Sequence, residues 1–324
     1  MSITGGKGYL RVFITGIEGF VGRHLSAELA EAGHEVSGLY YDDSGIGELA
    51  EKIPDLRRGD ILDRAELSKI LNSVSPDVIV HLGAVSFVPA ATKTPLMAWN
   101  VNLMGTLNIL EWIRTENPDT RLLFVSTSEI YGKPKEGDLP YTERTPIRPE
   151  NMYAATKAAA DIAAERYRNL YDLHIATLRP SNHIGPGQSE NFVVSSFAKQ
   201  VAGAVLGLGD GVIRVGNLSA SRDFLDVRDV VRAYRFVLEG GVTGIFNVGS
   251  GRAVKISDIL DKLVEIAGTD IRVETDPERL RPVDVPIVMV SHKKLLAESG
   301  WHPEIPLEKT LEDIFRWWKE KLKK

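Results

Sequence analysis

Tyr153 and Lys157 stand four residues apart in the run Tyr153-Ala-Ala-Thr-Lys157. On a helix this spacing puts both side chains on one face. A phenol exchanges a proton with a carbonyl or an alcohol more readily when its pKa is brought down from ~10. A neighbouring ammonium favours the phenolate and supplies that shift. Taken alone, such a pair is ordinary helix surface. A second group sharpens it: Val125-Ser-Thr127-Ser128-Glu129-Ile-Tyr131-Gly132 follows an apolar, strand-like run. Its polar residues then fall at the carboxyl edge of a sheet, where doubly wound sheets bind ligands. Thr127 is placed to hydrogen-bond a substrate oxygen beside Tyr153. By itself the stretch also reads as a Ser/Thr turn that ends a strand.

A third group lies near the start of the chain. Thr15-Gly16-Ile-Glu-Gly19-Phe20-Val21-Gly22 separates a first strand from a first helix. In that context Gly16 permits a tight turn, Gly19 lets backbone approach a pyrophosphate, and Gly22 allows helix and sheet to pack closely. The helix N-terminus offers free N–H groups and the positive end of its dipole to the phosphates. An acidic residue about 20 positions further on accepts from adenosine ribose hydroxyls and repels a 2′-phosphate. Asp42 fits that distance, and no Arg stands at the end of the second strand, although Arg23 is near in sequence. NAD is therefore the expected cofactor and NADP the second choice. The other reading of Asp42 and Asp43 is a solvated turn.

These groups need a frame to hold them. Arg11–Thr15 is a short β-branched run. Val21–Ala32 has apolar residues at helical spacing and ends at Gly33, a natural helix stop. Strands are predicted over Glu35–Tyr41, Asp77–Leu82, Leu122–Ser126 and Ile175–Leu178. Helices are predicted over Asp63–Leu71, Asn151–Tyr171 and, as one long element, Leu96–Thr115. Strands alternating with helices imply a parallel sheet covered on both faces. The expected class is α/β, a Rossmann doubly wound sheet over residues 1–180. Residues 181–324 are expected to form a smaller substrate-binding lobe, with some segments returning to the sheet. There, Asn182–Asn191 reads as a loop, Phe192–Leu206 as a helix and Leu307–Lys321 as a final amphipathic helix.

Composition narrows the partners. The 324 residues carry a net charge of −5, which gives no reason to expect nucleic acid or an anionic membrane as partner. There is no cysteine, so disulfides and thiolate metal sites are excluded, and no metal is expected. The apolar runs are too short to span a bilayer. The first residues, Met-Ser-Ile-Thr-Gly-Gly-Lys-Gly, lack the apolar stretch of a signal peptide, so a cytoplasmic protein is expected.

The glycine loop, the strand edge at Thr127 and the Tyr153/Lys157 pair together resemble the extended short-chain dehydrogenase/reductase family, also called the NAD-dependent epimerase/dehydratase family. The likeness runs from about Arg11 to Trp318. It implies a cofactor-binding Asn at Asn102, adenine and ribose contacts at Asp60-Ile61 and Leu82-Gly83-Ala84, and helices that pair across a two-fold axis into a homodimer. Thr127, Ser128, Glu129, Tyr153 and Lys157 would be the catalytic set, with Lys157 also bonding the nicotinamide ribose.

The second half is most similar to the branch that reduces GDP-4-keto-6-deoxy-D-mannose to GDP-D-rhamnose. The carrying segments are Arg179-Pro-Ser-Asn182-His183-Ile-Gly185-Pro-Gly187-Gln188, the run from Asn191 to Gln200, Ser221-Arg222-Asp223-Phe-Leu-Asp226, and Leu280-Arg281-Pro-Val-Asp284. The resemblance implies a nucleotide-diphosphate sugar, GDP-linked, held by Ser86, Asn182, Val193, Lys199, Arg222 and Arg281. Two arginines suit a diphosphate because the guanidinium makes paired, charge-assisted bonds. Thr127-Ser128-Glu129 is also the arrangement of GDP-mannose 4,6-dehydratases, where the acid removes the C5 proton of a transient 4-keto sugar. The glycine loop lacks the Gly-Gln-Asp-Gly form of that branch. A dehydratase or 4-epimerase is the alternative. A binding-only protein on the same fold is a further one, though it has no need of Thr127, Tyr153 and Lys157 together.

Overall fold

Most strands of the seven-stranded main sheet are short, largely buried runs that pair side by side in parallel, as strands covered by helices on both sides must. The chain is described by a computed structural model covering residues 8–43, 46–268, 271–279 and 285–323. In chain order it runs β1 (Arg11–Thr15), α1 (Phe20–Glu31), β2 (Glu35–Tyr40), α2 (Ile46–Lys52), β3 (Asp55–Arg58), α3 (Arg64–Val74), β4 (Val78–His81), α4 (Val88–Lys93), α5 (Pro95–Trp99), a π-helical turn (Asn100–Met104), α6 (Gly105–Glu116), β5 (Arg121–Val125), a 3₁₀ turn (Ser128–Tyr131), α7 (Met152–Tyr171) and β6 (Ile175–Pro180). The second half continues with β7 (Asn182–Ile184), α8 (Val193–Val205), β8 (Val212–Val215), β9 (Ser221–Arg222), β10 (Phe224–Asp226), α9 (Val227–Gly240), β11 (Gly244–Val248), β12 (Val254–Lys255), α10 (Ile256–Ala267), β13 (Arg272–Thr275), α11 (Lys293–Ser299) and α12 (Leu307–Lys321).

The main sheet has the order β11-β6-β5-β4-β1-β2-β3, with every pair parallel. The order reverses between β1 and β4, and that switch point is where a doubly wound sheet opens a crevice. One face is filled by Leu25 and Leu29 of α1 and Val230, Tyr234 and Val237 of α9. The other takes Leu67 and Leu71 of α3, Ile109 and Ile113 of α6 and Ala160 and Ala164 of α7. A separate core joins α8, α10 and α12 through Phe197, Val201, Leu260, Leu263, Ile314 and Trp318. Gly33, at φ +86°, ends the first helical run by the expected stop, its N–H bonding Ala30 O.

Three elements differ from the sequence expectation. The long helix over Leu96–Thr115 is α5, a π turn and α6 in succession. The loop predicted over Asn182–Asn191 begins with β7, which gains strand geometry by pairing in parallel with β10. β3 was not predicted: Asp55-Leu-Arg-Arg has no β-branched residue, and it becomes a strand through its ladder to β2 at the sheet edge.

Candidate active site

β5 runs apolar and buried to its carboxyl end, and there the chain turns sharply. Thr127 opens the 3₁₀ turn, and its Oγ1 accepts from the Glu129 N–H at 3.2 Å. Asn151 caps the N-terminus of α7, its Oδ1 accepting from Ala154 N at 2.8 Å. The same side chain donates through Nδ2 to Glu129 Oε2 at 2.9 Å. One residue thus fixes the start of the helix that carries Tyr153 and Lys157 and the aim of the carboxylate opposite. One turn past Lys157, Asp161 makes a doubly bonded, buried pair with Arg179 of β6, at 2.9 and 2.7 Å. That pair anchors α7 to the sheet. Ser128 is buried at the head of the turn.

The electrostatics differ from the sequence expectation in one respect. Lys157 does not draw the Tyr153 pKa down here. Burial raises it first, the Glu129 carboxylate adds to that, and a hydrogen bond with Thr127 opposes both. Lys157 is itself buried, and burial lowers its pKa to about 7, with Asp161 pulling the other way. Its ammonium lies 4.5 Å from the Phe124 ring centre. No hydrogen bond from Lys157 to another described residue is seen, which leaves its Nζ open to a ligand or to water.

At the switch point the three glycines divide the work. Gly16 has φ +69°, and a Cβ there would lie 2.9 Å from Gly83 Cα. A Cβ on Gly22 would lie 2.5 Å from Ile17 O. Gly19 meets nothing closer than Gly16 O at 3.2 Å; it is exposed and is the N-cap of α1, with no side-chain cap. The first N–H groups of α1 are therefore open to an anion, and a side chain at Gly19 would project into that cradle. Phe20 and Val21 form the first turn behind it.

Beneath the cradle lies a buried chain of hydrogen bonds. The Thr106 hydroxyl donates to Asn102 O at 2.7 Å and so accepts from His81 Nε2–H at 3.1 Å. His81 Nδ1 then accepts from the Thr15 hydroxyl at 2.7 Å, and Thr15 Oγ1 accepts from Gly83 N at 3.2 Å. Burial, then the Lys157 charge, holds the His81 pKa down to about 3, so the ring is neutral. Asn102 spends its amide on protein: Oδ1 accepts from Val85 N, and Nδ2 donates to Val85 O and Thr156 Oγ1. It therefore clamps the segment Leu82-Gly83-Ala84-Val85 against α7. Ser86 follows the segment and is exposed.

At the far end of the crevice, Asp42 and Asp60 line a hollow of about 600 Å³. Ile61 is buried against Gly105, and Asp60 Oδ1 accepts from Leu62 N at 2.9 Å. The hollow also holds Arg58, which the β2–β3 ladder sets opposite Tyr40. The absence of an Arg beside the end of the second strand, inferred from sequence, is thus corrected by strand pairing. No local pattern marks β3, so Arg58 had no signal.

The second-half residues are only partly gathered. Asn182 lies in β7, Val193 opens α8 with its side chain partly exposed, and Lys199 on α8 pairs with Glu190 and lies 5.4 Å over the Trp318 ring. Arg222 is on β9, its Nη1 donating to Ser221 O at 2.9 Å. Arg281 lies outside the described residues. The cofactor side and this lobe meet where the Phe20 and His183 rings stack 6.3 Å apart and His24 Nε2 bonds Pro186 O at 3.0 Å. Arg279, which the sequence reading passed over, reaches Ser196 Oγ at 3.0 Å. Among the described residues no cluster of His, Asp and Glu fits a metal ion, and no helix is long and apolar enough to cross a membrane.

The reversed strand order, the open N-terminus of α1 and the Thr127, Tyr153 and Lys157 set define an oxidoreductase of the extended short-chain dehydrogenase/reductase type. The chain belongs to the GDP-mannose 4,6 dehydratase family, whose sequence model matches residues 13–314. It is 35% identical to the GDP-6-deoxy-D-mannose reductase of Pseudomonas aeruginosa over 314 residues, covering 97% of this chain and 98% of that one. Among solved structures it is similar to RMD from Pseudomonas aeruginosa complexed with NADPH, with 33% identity, a TM-score of 0.84, and 96% and 99% of the two chains covered. It is also similar to the Thermus thermophilus UDP-glucose 4-epimerase in complex with NAD, with 30% identity, a TM-score of 0.85, and 95% and 99% covered.

Proposed function

We propose that this protein reduces the 4-keto group of a GDP-linked 4-keto-6-deoxy hexose at the expense of NADH or NADPH, in the manner of GDP-4-keto-6-deoxy-D-mannose to GDP-D-rhamnose. The observation that carries the reading is Tyr153 set between Thr127 and Glu129, with Lys157 one turn further along the same helix, in a sheet whose switch point carries a dinucleotide cradle. The cradle fits the cofactor: open N–H groups at α1 for the pyrophosphate, acids at the adenosine end and, for the nicotinamide ribose, the Lys157 Nζ, which hydrogen-bonds no other described residue. When bound, the reduced nicotinamide supplies a hydride to C4. Tyr153 gives its proton to the C4 oxygen as general acid. Thr127 donates to the same oxygen as charge develops there. Lys157 then steadies the tyrosinate left behind. Asn182, Val193, Lys199, Arg222 and Arg281 are assigned to the nucleotide and Ser86 to the sugar; their binding energy goes into orientation.

One observation favours a second reading, the 4,6-dehydratase. Asn151 holds the Glu129 carboxylate close enough to Tyr153 to raise its pKa, where a C5 base would stand. Cofactor balance separates the two. A reductase oxidises one NAD(P)H per molecule of 4-keto sugar and leaves GDP-mannose alone. If wild-type enzyme in deuterated water turns GDP-mannose into a deuterated 4-keto-6-deoxy product with no net cofactor change, and Glu129→Gln abolishes this, the dehydratase reading replaces ours. We also assign the protein to the cytoplasm, where reduced nicotinamide and nucleotide sugars are held, and to a homodimer. Leu96, Met97 and Met104, from α5 to the π turn, are 77%, 52% and 47% exposed, beside Ile162 of α7 at 49%. They form an apolar face on packed neighbours that a second copy would cover.

A further inference from the structure

The hollow at the adenosine end is lined by Tyr41, Asp42, Asp43, Arg58, Asp60 and Glu66, together with Gly59. Four of these are carboxylates, and Arg58 is the one cation among the described residues lining it. The Gly59 N–H bonds Tyr40 O at 3.0 Å, which keeps the end of β3 level with the end of β2 and fixes where Arg58 starts. Nearby, Glu18 of the glycine loop accepts from Tyr41 N at 2.9 Å, adding a further negative charge to the same edge. This field suits a ribose with a free 2′-hydroxyl and opposes a 2′-phosphate dianion. Arg58 is the exception, and it is engaged: its Nη1 lies 3.2 Å from Asp43 Oδ2. Both side chains are well exposed, at 67% and 57%. An exposed pair of this kind contributes little and opens readily, whereas a guanidinium binds a phosphate by paired, charge-assisted bonds.

We propose that Arg58 and Asp43 form an exchangeable latch that sets the balance between NAD(H) and NADP(H): Arg58 leaves Asp43 to bind the 2′-phosphate, and Asp43 competes with that phosphate for it. The proposal rests on the NAD(P) reading above. It makes the site selective for NAD(H) by its carboxylates yet able to take NADP(H) by one side-chain swing. It also makes the preference depend on salt, since both the pair and the phosphate contact are screened.

Calorimetry of the full-length protein with NADH and with NADPH, without substrate, tests it. Arg58→Ala should weaken NADPH about 10-fold or more and change NADH by less than about 3-fold, the size expected for one charge-assisted contact. Asp43→Asn should tighten NADPH about 3- to 10-fold and leave NADH within about 2-fold, because it removes both the competitor and a repulsive charge. The NADPH-to-NADH ratio therefore moves in opposite directions in the two variants. If wild-type protein binds both cofactors and neither variant moves the ratio, or if Arg58→Ala weakens both equally, the latch is wrong and the cofactor reading stands. If wild-type protein binds neither dinucleotide, the cofactor reading falls and the latch falls with it.

Discussion

Tyr153 enters the reaction carrying its proton, and its surroundings govern how readily that proton leaves. Burial and the Glu129 carboxylate both raise its pKa, so the phenol holds its proton more firmly than a free tyrosine and releases it only as negative charge develops on an oxygen beside it; the Thr127 hydrogen bond works the other way. Tyr153→Phe removes that proton and little else. Turnover should fall ~100- to 10,000-fold while calorimetric affinity for the nucleotide sugar stays near wild type; wild-type turnover in the mutant would show that another group is the acid. His81 makes a prediction about pH. Its folded pKa of about 3 lies below the ordinary value of 6.5 because burial penalises the imidazolium. A base so depressed contributes stability in full above pH 6.5 and loses it as pH falls toward 3, up to roughly 5 kcal/mol at the limit. His81→Gln keeps a donor and an acceptor between Thr106 and Thr15 but cannot titrate. Its melting temperature should fall less steeply than wild type between pH 6.5 and 4, and an unchanged slope would remove His81 from the account. At this scale much was legible in the sequence. Tyr153, Lys157, Thr127 and the glycines stand in local runs whose spacing states their chemistry. The network through Thr15, His81 and Thr106 was not, because its members are 25 and 66 residues apart and meet only by folding.

Two helical details decide how the catalytic groups are aimed. The π turn over Asn100–Met104 interrupts what periodicity reads as one helix, and π turns gather at functional places. Here it delivers Asn102 to Val85 and Thr156, and Thr156 in turn bonds Tyr153 O at 2.8 Å. No apolar pattern distinguishes an added residue in a turn, so the interruption was invisible in sequence. The second detail is the cap of α7. Asn151→Ala removes the Ala154 N–H acceptor and the Glu129 donor together, and should cost about 1 kcal/mol of stability with a several-fold loss in kcat. Asn151→Ser restores a cap oxygen but is too short to hold Glu129. It should recover the melting temperature and not the kcat. Equal melting temperatures for the two variants would show that the cap contributes nothing, and full recovery of kcat in Asn151→Ser would show that the Glu129 bond does not matter. β3 and Arg58 teach the same lesson at a sheet edge. A strand made by its neighbour's ladder, not by its own residues, hides whatever stands at its end.

For the whole molecule, the α/β class and the alternation of strands and helices were readable because most of the buried parallel strands are largely apolar runs. The second half was less so, since β7, β9, β10 and β12 are two or three residues long and exist only as pairs. The apolar face on α5, the π turn and α7 predicts a two-fold dimer, the commonest symmetric assembly. Light scattering should give twice the chain mass at micromolar concentration, and Leu96→Glu with Ile162→Glu should give the single chain with an intact melting transition. A monomeric wild type would overturn the assembly. The sheet itself has a consequence for how the protein is made. Its seventh strand, β11, comes from residues 244–248, and α9, which covers one face, comes from residues 227–240. A chain emerging from the ribosome has the first six strands in hand at Pro180, yet β6 waits with its outer edge unpaired for about 70 further residues, on the order of ten seconds of synthesis. β6 is buried at all six positions in the finished protein. Throughout that interval it offers an apolar, ladder-ready edge to any other nascent copy on the same message. Slow translation between Pro180 and Val248 would therefore favour chaperone capture or aggregation, while the same delay after Val248 would be harmless to the sheet.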